Sequence, residues 1–213
     1  MTKKDSRATQ AFALYCFLVA IYLSVGGLLQ FKLGLLGITI NEVFILALPA
    51  VLYAKLSGLS LKKVFPIRRP QFQEVLLVLL ATALVIIPIA LLVELQVKVW
   101  PLPTSVETFY EELMRRESWW DGFLKLLVLA VVPAICEELF FRGLLQGMMV
   151  SSFGVGKGLL LTALFFAIAH VNPWYFLYYF LLGAFLGGIR HWRNNLLLCM
   201  IAHLGNNLYS LYG

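Results

Sequence analysis

An all-α bundle of membrane-spanning helices is the fold class predicted for this chain, and three observations predict it. Apolar residues make up 61% of the 213 residues and charged residues only 13%, against roughly 25% charged in an average soluble domain. Mean hydropathy is +0.87. The apolar residues fall in runs near the length that crosses a bilayer, about 20 residues for a helix. A chain of this kind buries apolar surface in lipid as well as in itself.

Seven runs qualify, at 11–31, 35–56, 75–99, 123–150, 158–170, 174–189 and 196–212. The first follows the opening Met-Thr-Lys-Lys, which resembles a signal peptide. The run is too long for one and no small-residue cleavage site follows it, so it reads as a retained first span. The fifth and sixth runs are short, and the Asn172-Pro173 break between them makes them a hairpin. Between the third and fourth runs, residues 100–122 hold Trp100, Trp119 and Trp120 among acidic and basic residues. That segment predicts a short interfacial helix before the fourth span, with tryptophans as interface anchors.

Charge orients the bundle. With the N-terminus inside, the inner segments hold eleven Lys or Arg, among them Lys3, Lys4, Arg7, Lys62, Lys63, Arg68 and Arg69, and the outer segments hold five. That bias predicts a cytoplasmic N-terminus and an external C-terminus. The net charge of +6 therefore serves topology. No basic stripe with interleaved aromatics points to nucleic acid. Cys16, Cys136 and Cys199 lie in apolar stretches without Cys-x-x-Cys spacing, which excludes a disulfide framework and a zinc ribbon.

Charge inside a span is costly, so each intramembrane polar residue is a functional candidate. Three clusters stand out. In the fourth run, Glu138 and Arg142 are i,i+4 and share a helix face, while the neighbouring Glu137 points about 100° away with no local partner. A paired carboxylate is held ionised; an unpaired one in an apolar site is suited to general-base work. His170 ends the fifth run. In the last run His203 and Asn207 are i,i+4, two neutral hydrogen-bonding groups of the kind an oxyanion site uses. Taken singly, His170 reads as a packing residue and the His203/Asn207 pair as interhelical polar glue. Gly143/Gly147 and Gly183/Gly187 are small-residue pairs at helix-packing spacing, and Gly188 adjoins the second pair.

In order along the chain, Glu137-Glu138-x-x-x-Arg142, Phe166-x-x-x-His170 and His203-x-x-x-Asn207 resemble the motifs of the CPBP family, the CAAX-protease and bacteriocin-processing intramembrane proteases also called the ABI family. The match runs from Phe123 to the end; the first three spans carry none of its signature. The resemblance implies a single membrane-embedded domain over 1–213, with N-terminal spans at 11–99 and a catalytic core at 123–213. It implies an intramembrane endopeptidase of glutamic type. Glu137 would be the base that activates water, His170 would orient that water, and His203 and Asn207 would stabilise the oxyanion. Glu138 and Arg142 would support them.

No cofactor is expected on this reading; a zinc variant of the same chemistry would use Glu137, His170 and His203 as ligands. The expected partners are a membrane-anchored protein or peptide substrate and the lipid bilayer, with no nucleic acid. The expected reaction is hydrolysis near the membrane-embedded or lipid-anchored end of that substrate. Bacterial C-terminal anchor or leader processing at the inner (cytoplasmic) membrane is the first form of it. A prenyl-protein CAAX endopeptidase and a non-catalytic immunity or scaffold protein are the alternatives. A proton-coupled transporter would bring an inverted repeat and paired broken helices, and neither is present.

Overall fold

A computed structural model describes residues 3–212, with side chains described from Thr9 onward. Met1 and Thr2 of the opening tetrapeptide, and the side chains of Lys3, Lys4 and Arg7 used for orientation, lie outside that description. Among the described residues the regular structure is entirely helical. Three helices are long and apolar enough to cross a membrane: Thr9–Leu33, Leu35–Leu56 and Phe72–Val99.

Among the described residues nine helical runs follow the chain. α1 spans 3–33, α2 is Leu35–Leu56, α3 is Leu61–Val64 and α4 is Phe72–Val99. α5 is Thr104–Met114, α6 spans 119–153, α7 is Val155–Ala169, α8 is Phe176–Arg193 and α9 is Leu196–Tyr212. Each of the seven apolar runs is thus a helix. α6 is long enough to span, and it carries Asp121, Lys125, Glu137, Glu138 and Arg142 along its length. α5, the short helix expected before the fourth span, forms where the charged segment lies.

Local chemistry sets the ends. Gln71 and Glu74 make a reciprocal capping box at the start of α4, so two backbone N–H groups that the first turn leaves free find acceptors. Ser118 accepts the Asp121 backbone N–H at the start of α6. Gly154, at φ 81°, turns the chain from α6 into α7, a conformation that costs glycine nothing. Pro88 lies inside α4, and α4 continues through it.

Loop contacts sort the two ends of the bundle. At one end Tyr53 donates to Gln10, Arg68 donates to the Arg193 carbonyl, Arg193 pairs with Glu74, and Leu196 donates its N–H to Pro66 O. At the other end Gln96 donates to Trp174 O, Trp100 packs on Trp174, Asn172 donates to the Tyr110 hydroxyl, and Arg116 covers the Tyr212 ring. These contacts put the α2–α4 and α8–α9 connections at one end and the α4–α6 and α7–α8 connections at the other.

Large apolar side chains face outward along the helices, including Phe17 at 62%, Phe31 at 89% and Leu84 at 73% exposure. A water-soluble monomer rarely shows so continuous an apolar exterior. Inside, α7 lies along α8 and the end of α6, α9 packs on α4 and α6, and the α2 segment 41–47 packs on the α6 segment 132–138. Gly183 makes the α7–α8 approach close: a Cβ there would lie 3.1 Å from Ala163 Cα. Gly187 meets Gln146 and Leu159 in the same way, whereas Gly147 and Gly188 face open space and do not serve packing.

Candidate active site

Four stretches of α1, α2 and α6 are π-helical, at Tyr22–Gly26, Asn41–Ala47, Leu126–Val131 and Leu139–Leu145. Such stretches recur at functional sites because the extra residue re-aims side chains. Here one begins right after Glu138 and another contains Glu42.

The Glu138–Arg142 pair forms as helix spacing dictates, Nη1 to Oε1 at 2.8 Å, both side chains fully buried. Two further groups complete it. His203 Nδ1 lies 2.9 Å from the same Glu138 oxygen, and Arg142 Nη2 donates to Gly183 O at 3.2 Å. The guanidinium also sits 4.3 Å from the centroid of the Phe166 ring, a cation–π contact that helps hold a buried charge. The pair thereby ties α6, α7, α8 and α9 together.

Glu137 faces the other way, toward both histidines. Its Oε2 lies 3.8 Å from His170 Nε2 and 3.9 Å from His203 Nε2, and it has no hydrogen-bond partner. His170 caps α7, and its Nδ1 lies 2.7 Å from Phe166 O. A backbone carbonyl only accepts, so Nδ1 carries the proton and the neutral ring offers Nε2 as an acceptor toward Glu137. Tyr179 stacks on the ring at 3.8 Å between centroids. Directly after it, Val171 takes φ 49°, a left-handed conformation unusual for a β-branched residue. That turn ends α7 with His170 in place.

Asn207 lies a turn beyond His203. Its Nδ2 donates to Ala130 O at 3.2 Å, and its Oδ1 accepts from Asn206. Asn206 is itself buried and accepts from the Tyr178 hydroxyl at 2.6 Å.

These groups open on one cavity of about 410 Å³. Glu137, His170, His203, Asn206 and Asn207 line it, as do Phe109, Tyr110 and Leu113 of α5. The apolar face of α5 therefore covers part of the cavity. Sequence reasoning missed a fourth polar cluster, on the α2 segment that packs against Val132–Glu138. Asn41 and Glu42 are buried in α2, Glu42 lines the cavity, and Tyr22 and Gln30 of α1 line it beside Glu42. The signal was present, since Glu42 is a carboxylate inside an apolar run, the same criterion that singled out Glu137.

Among the described residues no three His, Cys, Asp or Glu side chains are placed to hold an ion.

The fold and the site together define a class: an integral membrane helical bundle with a carboxylate–imidazole cluster opening on an intramembrane cavity. Residues 118–209 match the family model described as Rce1-like, type II CAAX prenyl endopeptidase Rce1-like, the same part of the chain whose motifs resemble the CPBP family. CAAX-type intramembrane proteolysis is the activity that family carries, and a membrane-embedded substrate and the bilayer are the partners it implies. Comparisons with characterised proteins and with solved structures return no match.

Proposed function

We propose that the protein is an intramembrane endopeptidase in which Glu137 activates a water for attack on a peptide carbonyl. The observation that carries the reading is the approach of Glu137 Oε2 to Nε2 of both His170 and His203 at 3.8 and 3.9 Å. Those gaps are too long for direct hydrogen bonds and suit a bridging water. Such a water gives one proton to Glu137 and directs its other hydrogen at His170 Nε2, which leaves an oxygen lone pair for the carbonyl carbon.

His203, its Nδ1–H spent on Glu138, offers Nε2 to the substrate. When that nitrogen carries a proton it donates to the oxyanion. Asn207 has a second amide N–H beyond the one given to Ala130, and that N–H completes the oxyanion site. Glu138 and Arg142 act through His203 as positioning residues. Residues 123–213 form the catalytic core and 11–99 form the wall facing it, in one domain. No metal takes part.

The substrate is a membrane-anchored protein or peptide cut near its embedded or lipidated end. With the N-terminus cytoplasmic, the α5 side of the cavity lies outside the cytoplasm. That supports C-terminal anchor or leader processing at a bacterial inner membrane. The description of the matching family favours the second reading, prenyl-tail cleavage, which needs the cavity open to the cytosol.

Glu137→Gln and Glu138→Gln, assayed on a membrane-anchored substrate with and without a chelator, test the mechanism. Glu137→Gln is expected to lose about 10²–10⁴-fold in rate, the usual span for removing a general base. Persistent cleavage by that variant overturns the assignment, and chelator-sensitive wild-type activity transfers it to zinc. A wild type that cleaves nothing under these conditions favours the scaffold alternative.

A further inference from the structure

Glu42 is the charged group of the cavity that the proposed mechanism leaves unused. It is 3% exposed. Its Oε1 accepts from the Tyr22 hydroxyl at 3.2 Å, Gln30 Nε2 approaches that hydroxyl at 3.4 Å, and its Oε2 is buried without a partner. Glu138, by contrast, is met by both Arg142 and His203. Among the described residues lining the cavity there is no Lys or Arg, so two carboxyl groups, Glu42 and Glu137, face it without a cation.

A buried carboxylate without a counter-charge is costly, and a cation carried by what binds would offset that cost. A metal ion is a poor candidate, for want of three suitable ligands among the described residues. The walls suit an organic cation better. Tyr22, Phe109, Tyr110 and Tyr179 line the cavity, and aromatic faces attract ammonium and guanidinium groups.

Resting on the endopeptidase reading for the word substrate, we propose that Glu42 is a specificity residue. It receives a positively charged side chain of the substrate, lysine or arginine, in the cavity that Glu137 also lines. A free C-terminal carboxylate meets two carboxyl groups at this wall and is disfavoured there.

The test uses fluorescent apolar peptides in detergent that carry one lysine, norleucine or glutamate, moved through successive positions. Equilibrium binding is read by anisotropy. At its best position the lysine peptide is expected to bind wild type at least about tenfold tighter than its norleucine twin, about 1.4 kcal/mol, and the glutamate peptide weakest. Glu42→Gln, with its melting temperature as the check on folding, is expected to bring the lysine-to-norleucine ratio within about twofold, the usual scale of an exposed charge contact. A second arm needs no variant: modification of Glu42 by a hydrophobic carbodiimide, followed by peptide mass, is slowed by the lysine peptide and not by norleucine.

A wild type that shows no lysine advantage at any position overturns the proposal. So does an advantage that survives Glu42→Gln, or equal protection of Glu42 by both peptides. Cleavage of the same peptides is scored separately. Absence of Glu137-dependent cleavage strikes the hydrolase reading alone, since binding and protection still judge Glu42.

Discussion

Arg142 and Glu138 are fully buried, 2.8 Å apart, and joined to His203, so removing one partner leaves a charge in the core. Arg142→Met is expected to destabilise the protein by about 3–5 kcal/mol. Glu138→Gln/Arg142→Met, which removes both charges, should recover much of that loss, as thermal melts of the detergent-solubilised variants would show. If the double variant melts as low as the single, the pair contributes packing and not electrostatics. This pair was legible in the sequence because four residues along a helix nearly close one turn. The second imidazole was not, because His203 reaches Glu138 across 65 residues of chain.

At the scale of elements, the α7–α8 crossing decides where His170 sits relative to α6. A Cβ at Gly183 would lie 3.1 Å from Ala163 Cα and 3.2 Å from Phe166 Cδ1. Gly183→Ala is expected to cost about 1–3 kcal/mol, the usual range for overpacking, and to lower cleavage more than the melting temperature alone would explain. Gly188→Ala, where nothing lies within 4 Å, is the matched control and should change neither. Small-residue spacing pointed to Gly183, Gly187 and Gly188 alike. Only the packing separates the two that face a neighbouring helix from the one that does not. α5 makes a similar point: its charged sequence announced an interfacial helix, yet Phe109, Tyr110 and Leu113 also cover the cavity.

The whole molecule places its loops at two ends, and charge predicts which end faces the cytoplasm. Single cysteines at 57 and 112, both exposed, report on this in a background where Cys16, also exposed, is replaced by alanine. An impermeant thiol reagent added to intact cells is expected to label Glu112→Cys and to spare Ser57→Cys until the membrane is opened. The opposite pattern would turn the cavity's α5 side to the cytosol and favour prenyl-tail cleavage. A chelator is expected to leave cleavage by the purified protein unchanged, measured against a zinc-restored sample.

By itself the sequence determined the features that depend on composition and on one helical turn. These are the apolar runs, the helix each one forms, the Glu138–Arg142 pair, and the divergence of Glu137 from it. Tertiary structure decided the rest. It brought His170 and His203 to within 4 Å of Glu137, gave one Asn207 N–H to the Ala130 carbonyl, and set Glu42 into the wall of the same cavity. The reason is physical: a helix places its own neighbours by a constant rotation, but nothing local sets how one helix is turned against another. Four π-helical stretches shift that rotation further, and only close packing between helices selects the faces that meet.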